Sequence, residues 1–263
     1  MSAADRLLAI MRLFTPDRSE WTVEAAANET GVSVSTAYRN FRNLCNAGLL
    51  DPLTDGRYVL GPAIIEYDRQ IRLGDPLVKI GRPVMQRMLA HTGSFGVALL
   101  CRVYRDRIMC IHQEANALAE NTVSYERGRP MPMFRGAGKV IFANMPSRTA
   151  RKLFESYTNE VAAAGLGENW SAVKENLRRI RRAGVIIARG EIDPDRVGVA
   201  APVFGLNKNV LGSVSLALPV SEASPQFIAS VSTFVQAAGR EISVGLSVHF
   251  SGELPEQESA LRF

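Results

Sequence analysis

Apolar residues in the first fifty positions recur every three to four residues, the spacing of one helical face. They predict a first helix over residues 3–14. A second helix is predicted over the segment VEAAANET, with Thr22 as its N-cap, and a third over about residues 34–47, with Ser33 as its N-cap. The chain therefore opens with three short helices.

A hairpin pattern follows the third helix. Leu49-Leu50 begins a strand, Thr54-Asp55-Gly56 has the composition of a tight turn, and residues 57–60 form a second strand. Two helices joined by a short turn and followed by a hairpin predict a winged helix-turn-helix.

The third helix separates its side chains by chemistry. Its apolar residues Ala37, Phe41, Leu44 and Cys45 share one face. The other face carries hydroxyl, amide and guanidinium groups and no carboxylate; such donors contact phosphates and base edges in the major groove of DNA. The residues predicted to contact double-stranded DNA are Ser33, Ser35, Thr36, Tyr38, Arg39, Arg42, Asn43 and, on the wing, Arg57. For this helix taken alone, a solvated polar face without a partner is the alternative.

Mixed helix and strand patterns fill the rest of the chain. AIIEYDRQIRLG predicts a linker helix, and the following helix contains Pro83, which should kink or divide it. GVALLCRVY and RIMCIHQEA predict two strands of a hairpin around Arg105-Asp106. Further helices are expected near 138–144, 147–157, 168–183 and 224–248, and further strands near 185–189, 197–204 and 210–218.

These patterns give an α+β fold class with an antiparallel sheet. The expected domains are a winged helix-turn-helix over 1–60, a linker helix over 61–74, a sensor domain over 75–250 and a flexible C-terminal tail over 251–263.

Composition excludes several classes of protein. With 46% hydrophobic and 22% charged residues, and no apolar run of about 18 residues, the chain is expected to be globular and not a membrane protein. Its first twenty residues lack the features of a signal peptide, which points to the cytoplasm. A net charge of +5 permits an anionic partner.

The chemistry-bearing residues show no catalytic or metal-binding pattern. The three cysteines, Cys45, Cys101 and Cys110, lack metal-ligand spacing and lie among apolar neighbours, so reduced buried thiols are expected. The three histidines are isolated, and phosphate-loop, nucleophile-elbow and dinucleotide motifs are absent from the sequence. We therefore predict no catalytic residues, no metal and no cofactor; a metabolic enzyme is the weaker alternative.

Three segments resemble the IclR-type bacterial transcription regulators. GVSVSTAYRNFRNLCNAGLLDPLTDGRYVLGP is similar to that family's helix-turn-helix and wing, PMPMFRGAGKVIFANMP to its effector-domain segment around a Gly-Lys pair, and AAPVFGLNKNVLGSVSLALP to its closing hairpin. The resemblance extends from about residue 4 to 248. It implies a GAF-like effector-binding domain and a ligand-responsive regulator, expected to control a catabolic operon.

The resemblance also implies an effector site before the Gly-Lys pair. Glycines there let backbone N–H groups approach an anion at a helix start, and methionines supply adaptable apolar walls. The predicted effector-binding residues are Met131, Met133, Phe134, Arg135, Gly136, Ala137, Gly138, Lys139 and Arg189. A plain loop entering a small-residue helix is the alternative reading of this segment.

The chain departs from the family where many members carry acidic residues and a cysteine before the A-A-P-V strand. Here the sequence has Arg189 and Gly198. Because arginine binds carboxylates through two parallel hydrogen bonds, Arg135 and Arg189, with Arg129 as a weaker candidate, predict a carboxylic acid as effector.

One recognition helix reads few base pairs, so a homodimer or homotetramer that binds two half-sites is expected. A winged helix used for protein contacts is the alternative, and it would lack the steep salt dependence of phosphate binding.

Overall fold

The structure, a computed structural model, describes residues 2–93, 95–104, 106–117, 119 and 123–252. It divides into two compact units, Met1–Gly74 and Asp75–Phe263. Most of the predicted tail, from residue 253 onwards, and Arg105 of the predicted hairpin turn lie outside the described residues.

The first unit contains four helices and a small three-stranded sheet. In chain order its elements are α1 (Ala3–Met11), β1 (Trp21–Thr22), α2 (Val23–Thr30), α3 (Val34–Asn46), β2 (Leu50–Pro52), β3 (Arg57–Leu60) and α4 (Ala63–Gly74). The strands are antiparallel in the order β1-β3-β2. The winged helix-turn-helix and the linker helix are thus confirmed.

The core of the first unit explains why α1 is shorter than expected. The predicted helix ran to Phe14, but α1 ends at Met11. Beyond it, the carbonyl of Leu13 accepts a hydrogen bond of 3.0 Å from the indole nitrogen of Trp21, and the Arg18 guanidinium lies 3.3 Å from the Trp21 ring centroid. The chain therefore leaves the helix to anchor a buried tryptophan.

The second unit contains one six-stranded sheet and six α-helices in its described part. Its elements are α5 (Pro76–Ala90), β4 (Val97–Tyr104), β5 (Arg107–Ala115), β6 (Pro130–Met131), α6 (Gly138–Asn144), α7 (Ser147–Ser156), α8 (Thr158–Ala163), α9 (Trp170–Ala183), β7 (Ile186–Arg189), β8 (Arg196–Phe204), β9 (Val210–Pro219) and α10 (Pro225–Ser251). The strand order is β6-β5-β4-β9-β8-β7, with every pair antiparallel.

Each face of this sheet packs against a different helix layer. On β8, Val197, Val199 and Ala201 belong to the core shared with α5 and α10. Ala200 points the other way, into the core shared with α6, α7 and α9. Alternation along a strand sends successive side chains to opposite faces, so β8 takes part in both cores.

The layer of α5 and α10 packs closely on the sheet. At Gly239 of α10, a Cβ atom would lie 2.7 Å from the carbonyl oxygen of Pro202, so a larger residue would push the helix away. Pro83 was expected to kink or divide its helix; the structure keeps α5 as one helix, with Pro83 on its exposed side.

Three short elements were not predicted: β1, β6 and α8. Two-residue strands and a six-residue helix are too short to carry a periodic signal. Cys101 and Cys110 face one another across β4 and β5 as buried free thiols, whereas Cys45 is only half-buried.

Candidate nucleic-acid interface and ligand cavity

The first turn of α3 is fixed by its N-cap. The Ser33 hydroxyl accepts a hydrogen bond from the Thr36 backbone N–H at 3.3 Å and donates one to Thr36 Oγ1 at 2.9 Å. This cap satisfies one of the free donors at the helix start and holds the predicted contact residues in order. Capping, rather than a free hydroxyl, is what the structure shows for Ser33.

The predicted outer face of α3 is open to solvent. Ser35, Tyr38, Arg39, Arg42 and Asn43 are exposed, and Thr36 is half-buried. Within residues 2–74, neither Arg39 nor Arg42 forms an ion pair, so both guanidinium groups are available to phosphates or bases. That these residues contact DNA stays a prediction.

Tyr38 has a partner inside the chain. Its hydroxyl donates a 3.0 Å hydrogen bond to Glu24 on α2, which raises the pKa of Tyr38. The Glu24 carboxyl is held at a lower pKa by its own backbone N–H and by the Tyr38 hydroxyl. The contact joins the two helices of the motif and leaves Tyr38 exposed at the surface.

Sequence reasoning missed one polar residue of α3. Asn40 is buried with the core face, and its Nδ2 donates no hydrogen bond to the described residues. Its spacing from Ala37 and Leu44 was the available signal, because residues three and four apart share a face.

The wing arginine is already paired. The Arg57 guanidinium binds the carboxylates of Asp55 and Glu20. The hydrogen bond and charge of Asp55, followed by the charge of Glu20, raise the pKa of Arg57. Arg57 thus lies on the wing as predicted, but two acids offset its charge.

We expect Asp55→Asn to strengthen binding to double-stranded DNA by about two- to fivefold at low salt, because it removes a negative charge beside phosphates and frees part of Arg57. Fluorescence anisotropy with a labelled duplex measures this change. Glu168→Gln removes the same charge from an exposed site in the second unit and is the control. Weaker binding by Asp55→Asn would show instead that Asp55 positions Arg57 for DNA.

A cavity lies on the face of the large sheet that packs against α6. Its floor is built from small residues on three neighbouring strands, where bulky side chains would fill the space. Floor residues are Ala188 on β7, Gly198 and Ala200 on β8, and Ser215 and Ala217 on β9. Register brings them side by side, since Gly198 pairs with Ala188 and Ala217, and Ala200 pairs with Ser215.

Larger residues close the cavity around this floor. Leu99, Val123, Tyr125 and Met131 form apolar walls, and the turn before α6 contributes Gly136 and Ala137. The rim carries the charged and apolar residues Glu191, Ile192, Asp193 and Arg196. The space among these residues that the centre of a water molecule can reach is about 50 Å³; with the gaps between atoms and the solvent at the open side included, the empty space is about 510 Å³. A mostly apolar pocket with a few charged groups at one edge fits a small organic molecule.

The predicted anion site at the start of α6 is occupied by the protein itself. The backbone N–H of Gly136 donates to Glu191 Oε2 at 3.0 Å, and Lys139 Nζ lies 2.7 Å from Glu191 Oε1. Lys139 is only 11% exposed and Glu191 26%. The Glu191 carboxylate therefore binds the donors of Gly136 and Lys139 that the sequence analysis assigned to an effector.

We expect Lys139→Met to lower the free energy of unfolding by about 1–3 kcal/mol, because it leaves Glu191 partly buried without its cation. Urea denaturation measures this, and Lys139→Met combined with Glu191→Gln should recover part of the loss in a double-mutant cycle. Arg151→Met, which breaks the exposed pair with Glu155, is the control and should cost under about 1 kcal/mol. Equal small losses in both variants would contradict a structural role for the Lys139 pair.

The predicted effector residues divide between two places. Met131, Gly136 and Ala137 line the cavity. Met133, Phe134 and Arg135 instead line an adjoining open groove that shares Met131 with the cavity and also includes Tyr157, whose hydroxyl donates to Asp106 at 2.9 Å. Gly138 is buried at the start of α6.

The structure does not bring Arg189 to the cavity. Ala188 points inward to the floor, so alternation turns its neighbour Arg189 outward, where it is exposed. Arg129 is also exposed, and donates to the Ser124 carbonyl at 2.7 Å. The segment between Arg189 and the A-A-P-V strand does carry acids at the cavity, since Glu191 and Asp193 both line it.

Sequence reasoning missed the small-residue floor and Arg196. A signal existed in RVGVAAPV, where arginine, glycine and alanine alternate with valine, so that one strand face is bulky and the other nearly empty. The contact between Lys139 and Glu191, 52 residues apart, carried no comparable signal.

Family models match both units. One described as "Bacterial transcriptional regulator IclR C-terminal" matches residues 74–244, and one described as "IclR helix-turn-helix domain" matches residues 3–53. The chain belongs to the IclR family of bacterial transcriptional regulators. Its winged helix-turn-helix is therefore a DNA-binding domain, and its second unit is the IclR effector domain.

Two curated regulatory proteins are similar to this chain over most of their length. The "Pca operon regulatory protein" of Acinetobacter baylyi is 21% identical over 241 residues, covering 89% of this chain and 85% of the relative. The "HTH-type transcriptional regulator BhcR" of Paracoccus denitrificans is 24% identical over 247 residues, covering 93% and 87%.

Solved IclR structures share the fold. A putative IclR regulator from Silicibacter sp. TM1040 has a TM-score of 0.75 at 19% identity, covering 97% of this chain and 99% of that one. An IclR homologue from Microbacterium hydrocarbonoxydans, complexed with 4-hydroxybenzoate, has a TM-score of 0.71 at 19% identity, covering 93% and 99%.

Two features are absent from the residues of this IclR chain that the structure describes. None of their helices has both the length and the apolar character that a membrane span requires. In the same ranges, no three His, Cys, Asp or Glu side chains come together as a metal site.

Proposed function

We propose that this IclR-family regulator binds a double-stranded operator through α3 as a homodimer in the cytoplasm, and that a small organic carboxylate in the sheet cavity controls this binding. A catabolic operon is the proposed target. The cavity is the observation that carries the sensing role, because its small-residue floor leaves space that a closely packed core would fill.

The DNA-binding part rests on the exposed face of α3. Arg39 and Arg42 are exposed there, and the helix contains no acidic residue. Phosphate contacts by such groups release counterions, so the logarithm of affinity should fall linearly with the logarithm of salt concentration.

The homodimer part rests on α4. None of its residues is buried, and its exposed apolar side chains are Ile65, Tyr67, Ile71 and Leu73. Exposed apolar side chains on such a helix gain stability when a second copy covers them, and a dimer also supplies the two recognition helices that paired half-sites require. Two such dimers would give the tetramer.

The carboxylate part rests on the character of the cavity. Its walls and floor are mostly apolar, and charged groups gather at its rim. A related IclR homologue was crystallised with 4-hydroxybenzoate, an acid that combines an apolar ring with one carboxylate. Such a ligand can drive a switch only if its affinity differs between the DNA-bound and free states.

Three measurements test the proposal. Light scattering should give twice or four times the chain mass of 28.7 kDa. Anisotropy with a random-sequence duplex should show a steep loss of affinity with salt, and thermal shift should show stabilisation by at least one acid among benzoate, 4-hydroxybenzoate, phenylacetate and cyclohexanecarboxylate. DNA binding that is absent or independent of salt would overturn the operator part, and no stabilisation by the four acids would overturn the carboxylate part.

A further inference from the structure

One arginine at the cavity rim differs from the other cations nearby. Arg196 begins β8, and its side chain lies on the same strand face as Gly198 and Ala200, which form the cavity floor. Only 12% of the Arg196 side chain is exposed. A nearly buried guanidinium is rare unless it is paired.

The neighbours of Arg196 in the described part of the chain leave part of its guanidinium group without a hydrogen bond. Its Nε atom is buried and donates no hydrogen bond to any residue that the structure describes. The neighbouring carboxylate, Asp195, approaches Nε at 3.5 Å, but that side chain is 76% exposed and turned largely to water. Burying a charged donor without a hydrogen bond is unfavourable, and a bound anion would remove that cost.

Other charged groups around the cavity are already engaged. Glu191 accepts from Gly136 and Lys139, and Asp193 accepts from the backbone N–H and the hydroxyl of Ser124. The cation at Lys139 is therefore neutralised, and Arg196 is left to recognise a ligand.

We propose that Arg196 binds the carboxylate of a small aromatic or alicyclic monocarboxylic acid whose ring lies over Gly198 and Ala200. This inference rests on the proposed sensing function and replaces the arginines expected from the sequence. From Arg196 to Ala200 the strand extends about 13 Å, enough for a carboxylate and a six-membered ring in line. The far walls, Leu99 and Val123, are apolar, so a second carboxylate would have no partner there.

Calorimetry with the four monocarboxylates named above, and with benzamide and 4-hydroxybenzamide as neutral analogues, tests the proposal on the full chain. Arg196→Gln should weaken binding of the acid by about 10- to 100-fold, the range expected for a charge-assisted bidentate contact, and should change binding of the amide by less than about twofold. Arg196→Lys keeps the charge but lacks the planar guanidinium, so its affinity for the acid should lie between those of the wild type and Arg196→Gln.

Arg189→Gln is the matched control, because it removes an exposed arginine from the adjacent strand and should leave affinity unchanged. Thermal unfolding without ligand separates binding from folding. Since Arg196 is incompletely satisfied, Arg196→Gln should unfold at the same temperature as the wild type or higher.

The results separate two claims: that Arg196 binds the carboxylate, and that the protein senses a carboxylate at all. If the wild type binds an acid and Arg196→Gln binds it equally well, the Arg196 anchor is wrong while carboxylate sensing stands. A marked fall in the ligand-free unfolding temperature would assign Arg196 a structural role and also overturn the anchor. If the wild type binds none of the four acids, carboxylate sensing fails and the anchor fails with it.

Discussion

Replacing Arg39 by alanine should weaken binding to the operator by about 10- to 100-fold, equivalent to about 1–3 kcal/mol. Arg39 is exposed on α3, and no acid within residues 2–74 pairs with it. It can therefore bind a base edge or a phosphate without first breaking a contact inside the protein. A duplex selected by the wild type from a random pool serves as the operator in anisotropy titrations.

The same titrations reveal what Arg39 contacts. A base contact makes the loss specific to one base pair of the selected duplex, whereas a phosphate contact weakens all sequences alike and lowers the salt slope by about one. Arg148→Ala, which removes an exposed arginine from α7, is the control. Unchanged operator affinity in Arg39→Ala would remove α3 as the recognition helix.

Gly198→Leu should abolish binding of the acid, with a loss of at least about 100-fold, while leaving DNA binding without ligand intact. Among the described residues, the one atom within 4 Å of a Cβ atom at Gly198 would be the Ala188 carbonyl oxygen, at 3.9 Å. A leucine side chain can therefore extend into the cavity without moving the backbone, and it occupies the space proposed for the ring. Burying this side chain should keep or raise the free energy of unfolding by about 1–2 kcal/mol.

Calorimetry with the acid and urea denaturation measure the two effects of Gly198→Leu. Gly198→Ala is the graded control, because one methyl group fills little of the cavity and should cost much less affinity. Wild-type affinity in Gly198→Leu would show that the ligand binds elsewhere, with the outer groove around Arg135 as the next site to test.

Local patterns made the helices and long strands predictable. The apolar face of α3 repeats at helical spacing, and its hydroxyl cap precedes it directly, so both its position and its open face followed from sequence. The two residues of β1 are different: they form a strand only because Trp21 and Thr22 pair with β3, more than thirty positions away. Such pairing leaves no local trace.

The residues of the candidate cavity were predicted less well from the sequence, because the prediction depended on strand register. A shift of one residue along a strand reverses which side chains face inward. Arg189 was assigned to the site, yet Ala188 is the inward residue, and the inward arginine is Arg196 at the start of the next strand. The Lys139 contact with Glu191, and the wing contact of Arg57 with Glu20, depend on the fold bringing distant segments together.

The two-sided use of β8 has a consequence for how such sensors diversify. Residues 198 and 200 face the cavity, while residues 197, 199 and 201 anchor the layer of α5 and α10. Under the proposed sensing function, a substitution at residue 198 or 200 would change the cavity and the core shared with α6, α7 and α9, but not the core shared with α5 and α10. Single substitutions on this strand would then change ligand preference while the packing of one of the two helix layers is retained.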